Sequence, residues 1–118
     1  MFHYGVHYYF LFILFFLLVG HSLADFPLQG DYMAKAKDPT GTLGQGGVWR
    51  WVLFSHAMIH GGSVAFFTHS IILGALEAIS HAIIDYTKCH KRLTFNQDQW
   101  LHILLKVIWA WCAATRFI

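Results

Sequence analysis

Twelve consecutive aliphatic or aromatic residues, YYFLFILFFLLV at positions 8–19, run into GHSLADF, where His21 and Asp25 stand four residues apart. With its flanks the run reaches the roughly 17–25 residues that a bilayer-crossing helix needs. The rest of the chain is of the same kind. Soluble domains carry about 25% charged residues; here the share is 12%, against 57% apolar, with a mean hydropathy of +0.49. This is a membrane composition, and 118 residues make a single domain. A formal net charge of +2, scattered along the chain, is too small to suggest a nucleic-acid surface, and no nucleic-acid partner is expected. Cys89 and Cys112 have no C-x-x-C spacing and read as reduced packing residues.

Residues 8–19 also resemble the apolar core of a secretory signal, with Ser22-Leu23-Ala24 as a small-residue cleavage site. The leading MFHYGVHYY has no Lys or Arg, so the segment is kept as a span. Three more stretches qualify by length. The expected fold is an all-α, four-helix transmembrane bundle with short loops, its spans at residues 6–26, 48–67, 70–87 and 99–117. Only Thr68-His69-Ser70 separates the second and third. A continuous helix from 48 to 87 would be ~60 Å long, twice the hydrocarbon thickness, so a tight hairpin is expected. Pro39 and a cluster of glycines mark the first connection as a loop, with a short helical piece at DYMAKAK.

Lys35, Lys37 and Arg50 flank the first connection and Lys88, Lys91 and Arg92 the third; the opposite side has only Arg116. The positive-inside rule then places loops 27–47 and 88–98 in the cytoplasm and both termini outside the inner membrane. Membrane lipid is the expected partner, with aromatic stretches such as WRW and WAW at the headgroups. Gly5, Gly20, Gly61, Gly62 and Gly74 would permit close helix contacts within the chain or between copies in a homo-oligomer.

His21 and Asp25 are not alone. His56 and His60, His81 and Asp85, and Asp98 and His102 repeat the i, i+4 spacing, which puts both members on one helical face. His3 and His7 make a fifth pair, read as interfacial. Random placement of the His and Asp residues would give about 1.6 such pairs, so the helical period is a signal. With the expected topology the four internal pairs reach one depth in the cytoplasmic half of the bundle. Aspartate at mid-membrane costs ~2.5–3.5 kcal/mol, so such groups face a partner or water. Neutral imidazole and carboxylate are ligands for zinc, manganese or iron. Eight groups exceed a closed zinc site, which points to one or two divalent ions, the pair sharing an Asp bridge.

The combination HSLADFPLQ, HAIIDYTK and DQWLH resembles an uncharacterised family of small integral membrane proteins of bacteria and phages. Its pattern is H-x3-D-F-x-L-Q, a His pair in the middle span, H-x3-D-x2-K and D-Q-x2-H. These fall here on His21, Asp25, Phe26, Leu28 and Gln29, on His56 and His60, on His81, Asp85 and Lys88, and on Asp98, Gln99 and His102. The resemblance implies a fold and a site without an activity. The chain is also loosely similar to membrane-bound metal-dependent hydrolases, an analogy of placement alone.

The leading functional expectation is a membrane-embedded metal-dependent hydrolase at the cytoplasmic face. Its ligands would be His21, Asp25, His56, His60, His81, Asp85, Asp98 and His102. They would draw the pKa of a bound water towards ~7 and clamp a phosphoryl or carbonyl oxygen. Asp98 or Asp85 would be the general base. Gln29, Lys88 and Gln99 would orient substrate, with Lys91 and Arg92 beside Lys88 for a phosphate. Glu77, one turn before His81, is an outer partner or proton relay. A divalent-cation or proton transporter is the alternative from another class, and a small structural or pore-forming phage membrane protein the third.

Overall fold

The computed structural model describes residues 2–115, with side chains from Gly5 onward; His3 and Arg116 therefore lie outside the described side chains. The first helix, α1 (Phe2–Asp25), buries Ile13, Leu17, His21 and Ala24, a stripe at three- and four-residue spacing, and leaves Tyr8, Leu11, Phe12 and Phe15 exposed. Gly30, at φ 65, lets the chain turn into the short α2 (Gly30–Ala36), which covers most of DYMAKAK. A single 3-10 turn, Gln45–Gly47, leads into α3 (Val48–Thr68).

The turn from α3 into α4 (Ile71–Cys89) is as tight as the sequence required. His69 adopts the left-handed conformation at φ 56, and Ser70 caps the next helix by accepting from the Leu73 amide at 3.2 Å. The two helices then run in close contact because glycines face each other. A Cβ on Gly61 would stand 2.6 Å from the Gly74 carbonyl oxygen, and one on Gly74 2.6 Å from Ala65 Cβ. The last helix, α5 (Phe95–Ala114), opens on a reciprocal cap: Thr94 Oγ1 accepts from Gln97 N, and Gln97 Oε1 accepts from Thr94 N.

Helix α1 packs on α5 and α3, α4 packs on α3 and α5, and α2 lies against α3. Ile13, Leu17, Val64, Leu73, Trp109 and Ala110 form the apolar core. Beside it the interior is polar: His56, His60, Glu77, His81, Asp98, His102 and Lys106 are all essentially inaccessible. Large apolar side chains such as Trp51, Phe66, Ile71 and Trp100 are instead at least 70% exposed. Buried charges and imidazoles thus share the interior with the apolar core, an unusual load of polar groups for a chain of this size.

The expected four-helix transmembrane bundle is corrected. The described residues form five α-helices, and only one segment, Gly5–Asp25, is long and apolar enough to cross a membrane. The physical reason lies on the inward faces. Helices α3, α4 and α5 have 21, 19 and 20 residues, long enough to span. The histidines, acids and lysines they bury dilute their apolar character, which α1 concentrates in its first five turns.

Candidate metal centre

Helices α1 and α4 run towards one end of the bundle and α3 and α5 run away from it. His21 and Asp25 at the end of α1, His81 and Asp85 in the second half of α4, and Asp98 and His102 at the start of α5 therefore meet at one level. His56 and His60 reach it from two to three turns inside α3. The i, i+4 spacing lets each helix present two side chains from one face.

Three donor sets emerge, of which the third, Glu77, His81 and His102, borrows both its histidines from the other two. In the first, Asp25 Oδ1 lies 2.8 Å from His60 Nε2, 3.4 Å from His56 Nε2 and 3.9 Å from His81 Nε2. His56 Nε2 and His81 Nε2 are 3.2 Å apart. Ligands about 2.0–2.1 Å from a tetrahedral zinc stand about 3.3 Å from one another, so three imidazoles and one carboxylate here fit such an ion. In the second set, His102 Nε2 stands 3.3 Å from both Asp85 Oδ1 and Asp98 Oδ1. Asp98 Oδ1 is buried without a hydrogen bond of its own, an acceptor that a cation would satisfy. Asp85 belongs to the second set and turns its Oδ2, which also accepts from Lys37, towards the first, 3.4 Å from His56 Nε2 and 3.6 Å from His81 Nε2.

His21 stands apart from these groups. Its Nε2 lies 3.2 Å from Gln99 Oε1 and 3.5 Å from Asp25 Oδ2, and Gln99 Nε2 donates to Asp25 Oδ2 at 3.0 Å and to Asp98 Oδ2 at 3.2 Å. His21 and Gln99 thus steady the carboxylates from outside. Glu77 does the same for His81, with Oε1 at 3.3 Å from its Nδ1. Lys106 Nζ and Trp109 Nε1 hold Glu77 in turn, each donating at 2.6 Å. The rings of His60, His81 and His102 stack, with successive centroids 3.6 and 4.1 Å apart.

The electrostatics follow from burial and neighbours. Burial pulls His60 down to about 3 against the opposing hydrogen bond to Asp25, so it is a neutral imidazole with a lone pair to give. Burial also works against a charge on His102, but Asp85 and Asp98 outweigh it and push its pKa up to about 9. Burial would raise Asp85, yet His102, His81 and Lys37 hold it well below the ordinary carboxylate range. Glu77 is likewise lowered, its burial outweighed by His81 and Lys106.

A cavity of about 110 Å³ opens onto the centre, lined by Asp25, Asp85 and Asp98 and by Gln29, Gln99, Lys37 and Lys88. Lys88 Nζ lies 3.7 Å from Asp98 Oδ2. Lys91 and Arg92 are exposed and do not line it. Sequence reasoning missed Trp109, expected at the headgroups but buried against Glu77 beside Lys106, and it missed Lys37. Its Nζ donates to Asp85 Oδ2 at 2.6 Å and to Gln29 Oε1 at 2.5 Å, while Gln29 Nε2 donates to the Asp25 carbonyl at 2.9 Å. In the sequence it was one of several loop cations, and only the fold of α2 brings it inward.

Neither a curated protein nor a solved structure gives a match to this chain. A match does come over residues 13–117, which contain all eight expected ligands: the chain belongs to the family described as Protein of unknown function (DUF3307).

Proposed function

We propose that the protein is a dinuclear metal-dependent hydrolase held at the cytoplasmic membrane through α1. The observation that carries this reading is the Asp85 carboxylate, which turns one oxygen to His56 and His81 and the other to His102. Paired ions in hydrolytic sites lie about 3.5–4 Å apart, a separation that one bridging carboxylate spans. The donor set of Asp25, His56, His60 and His81 suits zinc. That of Asp85, Asp98 and His102, richer in oxygen, admits manganese or iron as well.

Bound ions would supply Lewis acidity and draw the pKa of a coordinated water towards ~7. The chain's own residues supply the rest. Asp98 lines the cavity: its Oδ1 would hold the ion beside His102, and its Oδ2, 3.2 Å from Gln99 Nε2 and 3.7 Å from Lys88 Nζ, would take a proton from water. Asp85 bridges. Glu77 fixes the ring of His81 and strengthens it as a ligand. The exposed face of α1, with Tyr8, Leu11, Phe12, Phe15 and Val19, would meet acyl chains. The Asp25 end then opens to the cytoplasm.

Transport of a cation or proton is the weaker reading. Among the described residues the buried charged groups extend from the centre only to Glu77 and Lys106; beyond them lie Ile13, Val64 and Leu73, with the Thr68 hydroxyl closed onto the Val64 carbonyl. A transport path needs polar groups across its whole length. Elemental analysis of detergent-purified protein tests the proposal. Near two ions per chain are expected. Sub-stoichiometric metal lost on mild chelation, with uptake into vesicles, would turn the reading to transport.

A further inference from the structure

We propose that Lys37 and Lys88 receive the dianionic head of a phosphate monoester whose alcohol part is apolar. The inference rests on the metal centre proposed above and names the substrate class of that site. Lysine is almost never fully buried unless paired, and Lys37 is only 7% exposed. Its bonds to Asp85 and Gln29 use two of the three ammonium donors and leave one for the cavity that it lines. Lys88 brings a second ammonium to the same space, packed over the ring of Phe95 at 5.0 Å.

The size of the space limits what enters. About 110 Å³ is well under the ~300–1,000 Å³ of a pocket that encloses a whole small molecule, so only a head group fits. At the rim, Phe26 and Phe95 are 58% and 55% exposed and offer apolar surface to what stays outside. Charge sets the order of binding. Three carboxylates line the cavity beside the two ammonium groups, so no positive excess meets an anion there until divalent cations supply one.

In the reaction the oxygen of water bonds to phosphorus. The ester P–O bond breaks with its electron pair left on the alcohol oxygen, and the proton that Asp98 takes from water ends there. Inorganic phosphate and the free alcohol leave.

The test uses the full chain in detergent, loaded with zinc. Calorimetric titration with inorganic phosphate is expected to show binding to loaded protein and none after chelation. Lys37→Met and Lys88→Met should each weaken it about ten- to hundredfold, the worth of one charge-assisted hydrogen bond. Zinc content should be unchanged in Lys88→Met, whose side chain is one-third exposed and whose folding is not at stake. Phosphatidate in mixed micelles should be cleaved at a higher kcat/KM than glycerol 3-phosphate; equal values would overturn the apolar part of the assignment. Zinc-loaded protein that ignores phosphate, or binds it equally well in both variants, overturns this inference and leaves the metal centre standing. A chain that takes up no metal overturns both.

Discussion

Asp85 Oδ1 stands 3.3 Å from His102 Nε2, and the same carboxylate turns Oδ2 towards His56 and His81. The donor sets of Asp25 and of Asp98 are therefore coupled through one side chain, and substitutions should sort by where they fall. Asp85→Ala is expected to lose both ions. His60→Ala should lose the ion on the α3 side alone, and Asp98→Ala the one beside His102. Elemental analysis of folded variants checks this; two ions retained by Asp85→Ala would dismiss the bridge.

Glu77 meets Lys106 and Trp109 on one side and His81 on the other, entirely inside the protein. Breaking a buried pair by removing one partner costs about 3–5 kcal/mol, so Glu77→Gln should lower the unfolding free energy by that order. Glu77→Gln with Lys106→Met removes both charges and should recover most of the loss. Metal affinity should behave differently. An outer partner of a ligating histidine is worth about 10–100-fold, and the double variant should still lack it. Chemical denaturation and competition with a chelator separate the two effects.

The four His and Asp pairs that gather at one level were legible as pairs because helical periodicity is local. A pair at i, i+4 needs no tertiary information to share a face, and a tight turn at Thr68-His69-Ser70 sets α3 and α4 level. What joins them was not legible. Lys37 meets Asp85 across 48 residues, and Glu77 meets Lys106 across 29. No period links such partners. Reading all four apolar stretches as spans failed for a related reason. Length was right in each, but the buried acids, lysines and histidines of α3, α4 and α5 use the face that lowers their apolarity, and α1 alone keeps its run intact.

His102 gives the metal-free protein a characteristic pH dependence. Burial opposes its charge, but Asp85 and Asp98 raise its pKa from the ordinary 6.5 to about 9. A group raised on folding stabilises fully below its unfolded pKa and loses that contribution as pH rises through the folded one. Chelated protein should therefore lose stability between about pH 6.5 and 9, and His102→Gln should lose less over that window. Thermal melts at stepped pH read the slope. Metal binding needs the neutral imidazole, so loading at pH 7 should release a proton, measurable by calorimetry in buffers of different ionisation enthalpy.

The contact of α3 with α4 gives a packing test. Gly61 and Gly62 are neighbours in sequence with opposite surroundings. A Cβ on Gly61 would lie 2.6 Å from the Gly74 carbonyl oxygen and 2.9 Å from Ala78 Cβ, whereas one on Gly62 meets nothing within 4 Å. Gly61→Ala must push the helices apart, at about 1–3 kcal/mol for overpacking. Gly62→Ala instead gains the helix preference of alanine, up to about 1 kcal/mol. The splay also reaches the centre. His60 precedes Gly61 and stacks on His81 from the opposite helix at 3.6 Å, and His56 Nε2 lies 3.2 Å from His81 Nε2. Gly61→Ala should therefore weaken metal binding at the α3 side, while Gly62→Ala leaves it unchanged. Equal metal affinity in both variants would mean that the hairpin spacing does not set the donor geometry.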